Sequence, residues 1–99
     1  MVYIIAVYEG RKYSGIEISE TNTVKEIMDI CYNKIEKLNK PENERFYTKD
    51  KMIFKFNELL LNDNEEHLNK TAEELELQDD DGLTLVKTQD INAGKKIIN

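Results

Sequence analysis

A chain of 99 residues has room for one small domain and no second core, since single domains usually span about 50 to 200 residues. Hydrophobic residues make up 39% of it, with five Tyr, three Phe and no Trp, which suffices for one compact core and excludes disorder throughout. Twenty acidic against fourteen basic residues leave a net charge of −6, which argues against binding nucleic acid or an anionic membrane.

The lone Cys31 can form no internal disulfide, and the N-terminus lacks a cationic stretch followed by an apolar run. The expectation is an intracellular protein, in cytoplasm or nucleus without discrimination between them. No apolar run approaches the roughly 18 to 20 residues that a membrane span needs.

Residues 2–8 are mostly β-branched or aromatic, which predicts a strand buried on both faces. Residues 9–12 read as a turn. Residues 13–19 alternate, with Ile16 and Ile18 on one face and Glu17 and Ser19 on the other, so a hairpin is expected. Thr23 followed by Glu26 fits a capping box and starts a helix. Val24, Ile27, Met28, Cys31, Ile35 and Leu38 form its apolar stripe, and it should end before Pro41 because proline disfavours helical geometry in the preceding residue.

Residues 41–50 read as a polar loop pinned by Phe46 and Tyr47. Met52, Phe54 and Phe56 alternate with Ile53 and Lys55 as a third strand, Asn57 and Glu58 supply a turn, and residues 59–61 predict a short fourth strand. Residues 62–70 are polar without periodicity. Thr71 and Glu74 offer a second capping box over a turn or so of helix, residues 79–82 are an acidic turn, and residues 83–87 are the last strand. Residues 1–88 thus form one domain, and residues 89–99 are expected to be a flexible tail.

The two most continuously apolar strands, the first and the last, belong side by side in the middle of a mixed sheet with the helix across one face. That predicts an α+β fold, a β-grasp whose mixed sheet of four to five strands packs on one main helix.

The element order and spacings resemble the ubiquitin-like superfamily, and the second half is closest in pattern to the small ubiquitin-like modifier, SUMO. Phe54-Lys55-Phe56-Asn57-Glu58 followed by Leu61 is similar to SUMO's Phe-x-Phe, turn and aliphatic residue. Thr71-Ala72-Glu73-Glu74-Leu75-Glu76-Leu77, followed by Gln78 and three Asp, resembles that family's Thr-Pro-x-x-Leu-x-Met and acidic run. The resemblance implies a non-enzymatic module that binds protein partners, including short extended peptide motifs, through a sheet edge and an exposed face. It also implies no cofactor and a free monomer.

Three departures from the family bear on that expectation. Ala93-Gly94 followed by Lys95-Lys96-Ile97-Ile98-Asn99 stands where SUMO and ubiquitin end in Gly-Gly, so a covalent modifier processed near Ala93 and Gly94 is the alternative. The peptide-accepting edge carries Glu17 and Ser19 rather than flanking lysines, so a peptide bound there should not be acidic. Lys55 matches the central aliphatic residue of ubiquitin's binding patch, although Val86 matches another member, so ordinary ubiquitin receptors should not recognise this surface. The expected groove consists of Ile16, Glu17, Ile18 and Ser19 with the Lys25 and Met28 side of the helix. Lys55 and Val86 represent the exposed face. A structural subunit of a larger assembly, by analogy with PB1 or Ras-association domains, is a further alternative.

Catalytic and metal chemistry find little footing. Cys31 sits on the apolar stripe, where a buried thiol fills space. His67 has no second His or Cys to join it as a ligand, and is expected as a solvated loop residue. Asp63, Glu65, His67 and Glu74 occupy positions of a calcium-loop template, but Leu68 stands where the turn needs Gly. No glycine-rich phosphate loop and no nucleophile with a base occur, so neither a metal site nor an enzyme is expected.

Charge is unevenly distributed. Residues 34–55 hold seven of the fourteen bases, whereas residues 58–81 hold ten acids and one base, Lys70. Such a layout can steer a complementary partner, and it leaves a local phosphate contact open despite the net charge.

Overall fold

A computed structural model describes residues 1–89. In chain order they form β1 (Val2–Tyr8), β2 (Arg11–Ile18), α1 (Val24–Lys34), 3-10 turns at Glu36–Leu38 and Glu42–Glu44, β3 (Met52–Phe56), β4 (Leu59–Leu60), α2 (Glu65–Leu68) and β5 (Gly82–Lys87). One mixed sheet has the order β2-β1-β5-β3-β4. The parallel pair β1 and β5 occupies its centre, with Ala6 opposite Leu83 and Val7 opposite Thr84. This is the five-stranded β-grasp expected from the order of elements.

The β1–β2 hairpin turns on two residues, Glu9 at φ 51° and Gly10 at φ 76°. Positive φ at both positions is the turn whose twist matches that of paired strands. It is tighter than the expected four-residue turn, so β2 begins at Arg11. Within β2, Gly15 at φ 69° accompanies a register shift: Ile4 faces Ile16, but Ala6 faces Tyr13. A bulge at a glycine bends the strand and interrupts the regular spacing of its edge.

Thr23 caps α1 as the spacing predicts. Its hydroxyl accepts from the Glu26 N–H, and the Glu26 carboxylate accepts from the Thr23 N–H at 2.9 Å. The helix is shorter than its apolar stripe. Ile35 turns extended at φ −95°, and a 3-10 turn follows, which still delivers Ile35 and Leu38 to the core. Proline therefore does not set the helix end; the backbone leaves the helix at Ile35, well before it.

The core lies between α1 and the inner face of the sheet, built on Ile4, Ile16, Ile27, Met28, Phe54 and Leu85 among others. No element among the described residues covers the outer face, and the expectation that β1 is buried on both faces fails. Val2, Ile4, Ala6 and Tyr8 are buried, whereas Tyr3 is exposed and Ile5 and Val7 are half-buried.

The acidic turn is structural rather than merely solvated. Asp79 accepts the Tyr3 N–H at 2.9 Å, the Asp80 N–H donates to the Tyr3 carbonyl, and the Ile5 N–H donates to the Asp81 carbonyl. It thereby prolongs the ladder of β1 beyond β5. Thr71 and Glu74 do form the reciprocal capping contacts, though only a tight series of turns follows, with Glu76 at φ 55°. A bridge between Thr23 and Thr71 ties this segment to the start of α1.

Candidate functional site

The outer face of the sheet is left without a partner layer by the described residues. Alternation places Ile5 and Val7 of β1, Thr84 and Val86 of β5, and Ile53 and Lys55 of β3 on it. Cross-strand pairing brings them together, with Ile53 opposite Val86, and Thr84 opposite both Val7 and Lys55. Four half-buried aliphatic side chains thus surround a threonine and one lysine. Towards the β1–β2 turn the face sinks into a hollow of about 240 Å³ lined by Val7, Thr84 and Val86 together with the turn itself.

Lys55 and Val86 therefore stand, half-buried, on one face of the sheet. Ile5, Val7 and Ile53 complete it, although none was singled out from the sequence. The alternation of β3 and β5 contained that signal, but reading β1 as doubly buried concealed half of the patch. Tyr3 and Glu17 form its polar rim, the Tyr3 hydroxyl donating to the Glu17 carboxylate at 2.9 Å. That hydrogen bond, followed by the repulsion between Glu17 and a phenolate, holds the Tyr3 pKa above its ordinary value.

The expected groove between β2 and α1 has no apolar lining at its surface. Ile16, Ile18 and Met28 are all buried, at 1%, 2% and 0% exposure, because these are the side chains that weld β2 to α1. They cannot line a groove for a peptide side chain while the core is intact. Glu17 remains exposed, and the Ser19 N–H donates to the Asn22 side-chain Oδ1 at 2.7 Å. Lys25 pairs with Glu42 at 3.2 Å and stands 4.8 Å from the centre of the Tyr47 ring. Its place is on the strap made by residues 41–50, not beside an open trough. As an edge strand, β2 still presents one row of backbone groups. Ala93 and Gly94 lie outside the described residues.

Tyr47 does pin the 41–50 strap. Its hydroxyl donates to Asp29, and its ring meets Tyr32 edge-on at 6.0 Å. Arg45 reaches the same Asp29 carboxylate at 3.1 Å, and the Tyr32 hydroxyl donates to the Phe46 carbonyl. Burial first, then the neighbouring carboxylate for Tyr47 and the neighbouring Tyr47 for Tyr32, pushes both phenols well above their ordinary value. Phe46 departs from expectation: its backbone carbonyl is held, but the residue is 41% exposed.

Cys31 is fully buried, and desolvation pushes its thiol up to about 12. It is core material, as the apolar stripe implies. His67 is not a solvated loop residue. It belongs to α2, capped by Asn64, and its Nδ1 is buried with no hydrogen-bond partner among the described residues. No group of three or more His, Cys, Asp or Glu able to hold a metal occurs among the described residues. Nor is any described helix long and apolar enough to cross a membrane.

No protein-family model and no curated protein sequence matches this chain. Solved structures do match in shape. The chain is similar to the ubiquitin-like domain of yeast Ddi1, with a TM-score of 0.62 at 19% identity over 88% of each chain. It is also similar to the ubiquitin-like domain of an Arabidopsis thaliana protein, with a TM-score of 0.57 at 14% identity, covering 87% of this chain and 76% of that one. Both are described as ubiquitin-like domains, and the finer likeness to SUMO rests on sequence motifs alone. At such identities the likeness is one of architecture, and the chain has the ubiquitin-like β-grasp fold.

Proposed function

We propose that this chain is a non-enzymatic, SUMO-like interaction module that docks protein partners on the outer face of its sheet. The observation that carries this reading is the cluster of Ile5, Val7, Ile53 and Val86, which no element among the described residues covers. Apolar side chains gathered on one exposed face lose unfavourable hydration when a partner covers them, at roughly 25 cal/mol per Å². Lys55 and the Tyr3–Glu17 rim then supply orientation through polar contacts. The module works as a monomer when free and binds no cofactor. Its unpaired Cys31 suits a reducing intracellular compartment.

Backbone pairing of an extended peptide along β2 is a secondary mode of the same module, favoured by the position of β2 at the sheet edge. With Ile16 and Ile18 committed to the core, such a peptide gains its affinity from main-chain hydrogen bonds and little from apolar pockets.

The test is affinity purification from native cells using the full chain beside Val86→Asp and Lys25→Glu variants. Partners should be lost with Val86→Asp and kept with Lys25→Glu. Retention of every partner by a folded Val86→Asp protein would remove the outer face from the account.

A further inference from the structure

A second surface borders the outer-face hollow at Lys87, where the end of α1 meets the start of β3 and the end of β5. There a pocket of about 180 Å³ opens, with Lys37, Lys40, Arg45 and Lys87 on its wall beside the rings of Tyr32 and Phe46. Buried Leu38 and Met52 contribute an apolar floor, and Glu44 is the one acid among its described lining residues.

The pocket is braced by contacts rather than left to chance. The Arg45 Nε donates to the Lys40 carbonyl at 2.6 Å, which closes residues 40–45 into a compact bend. Arg45 Nη1 is anchored on Asp29, and the Tyr32 hydroxyl holds the Phe46 carbonyl. Phe46 is therefore fixed by its backbone carbonyl while the residue stays exposed and lines the pocket.

The charges are unequally spent. Asp29 engages Arg45, and Glu9 reaches Lys37 at 3.4 Å across an exposed contact. Lys40 and Lys87 have no acidic partner among the described residues. Two unspent cations beside an aromatic ring and an apolar floor form a mixed demand. A bare anion would leave the floor and the Phe46 ring uncovered, whereas a purely apolar ligand would desolvate lysines without compensation.

We infer that this pocket binds an acidic, extended segment of a protein partner. The segment inserts one large apolar side chain against Phe46 and Met52 and sets its flanking carboxylates on Lys40 and Lys87. Exposed ion pairs each contribute little, so the charges chiefly steer and orient the segment while the apolar insertion holds it. This site is independent of the outer-face reading, and it adds a preference for acidic segments at a place distinct from the β2 edge.

The probe is a fluorescein-labelled peptide, Gly-Asp-Glu-Phe-Asp-Glu-Gly, titrated into the full chain at low salt by anisotropy and by amide chemical shifts. Saturable binding is expected, with shifts confined to residues 37–46, 52 and 86–88. The Lys40→Glu/Lys87→Glu double variant should weaken it at least tenfold, as should a peptide with Asn and Gln in place of its acids. A peptide with Ala for Phe should bind several-fold more weakly, and Val7→Asp on the outer face should change nothing. Absence of saturable binding, shifts centred on the outer face, or unaltered binding by the double variant would overturn the proposal. So would complete displacement of the peptide by equimolar pyrophosphate, which would make this a small-anion site. Concentration-dependent shifts without peptide, with a rising sedimentation mass, would give the pocket to a second copy of the chain instead.

Discussion

The Asn62 side chain completes the edge of β3 by binding Phe54. Its carbonyl accepts the Phe54 N–H at 3.0 Å, and its amide donates to the Met52 carbonyl at 2.7 Å and to the Tyr47 carbonyl at 3.1 Å. Asn62 is the one buried polar residue among those described, at 1% exposure. Because β4 is only two residues long, a side-chain amide stands where strand pairing has run out.

Replacing Asn62 with Leu should therefore be costly despite the gain in hydrophobicity. It leaves one buried N–H and two carbonyls without that partner, at roughly 1 to 3 kcal/mol for each group that water cannot reach. A loss of about 3 kcal/mol is expected, read as a lowered urea midpoint at unchanged slope. Asn62→Asp should be at least as damaging at neutral pH, since a carboxylate cannot donate to the Met52 and Tyr47 carbonyls and would be buried charged.

That role was not legible in the chain. Asn62 opens a polar stretch without periodicity, and a lone asparagine there carries no mark of burial. What the sequence did reveal was periodic or chemically paired: the α1 stripe, the Thr23–Glu26 box and the alternation of β3. The exposure of Ile5 and Val7 was hidden for another reason. Their burial is decided by whether a second layer covers the sheet, and no local pattern in β1 states that. Likewise, placing Ile16 and Ile18 on one face of β2 was sound, but which face meets α1 depends on tertiary packing.

The Thr23 cap should contribute about 1 kcal/mol. Thr23→Ala removes the hydroxyl that accepts from Glu26 N–H but leaves intact the backbone contacts that tie residues 22–24 to residues 70–72, including Val24 N–H to Lys70 carbonyl at 2.8 Å. Thr23→Ser should keep most of the stability. Thermal unfolding of the three proteins distinguishes a capping loss from general damage, because the alanine variant should retain the native spectrum with a midpoint lowered by about 4 to 8 °C.

Alkaline pH should unfold the protein earlier than its composition suggests. The pKa values of Tyr32 and Tyr47 are raised in the fold above their ordinary value of 10.0, so the unfolded chain releases those protons first. Between the unfolded and the folded pKa the unfolded state binds fewer protons, and stability falls as pH rises. It is fully present below about pH 10 and lost above it. Urea midpoints measured from pH 8 to 11 should decline along the last part of that range. The decline should be shallower in Tyr47→Phe and in Tyr32→Phe, each of which also forfeits about 1 kcal/mol at neutral pH with its hydrogen bond.

Cys31 should be silent towards thiol reagents in the native protein. Nucleophilic attack needs the thiolate, and burial holds the thiol at a pKa of about 12 behind a surface of zero exposure. At pH 8 the reaction rate with a disulfide reagent should track the fraction of opened molecules, rising with urea along the unfolding curve. Rapid labelling without urea would show that α1 detaches from the sheet far more often than its packing allows.

Charge placed on the outer face separates folding from recognition. Val86 is half-buried opposite Ile53, so Val86→Asp loses some cross-strand contact but leaves its carboxylate in reach of water. A cost of about 1 kcal/mol is expected, small beside the effect on a partner that must desolvate the aspartate. Lys55→Glu should leave stability within about 0.5 kcal/mol, because Lys55 has no acidic partner among the described residues. Its effect on binding reports the partner's own charge. A partner presenting carboxylates opposite Lys55 should bind the reversed variant with a slower association that salt partly restores, whereas an apolar partner should show a similar loss at every ionic strength. Equal association rates for the wild-type and both variants would mean that recognition takes place elsewhere on the domain.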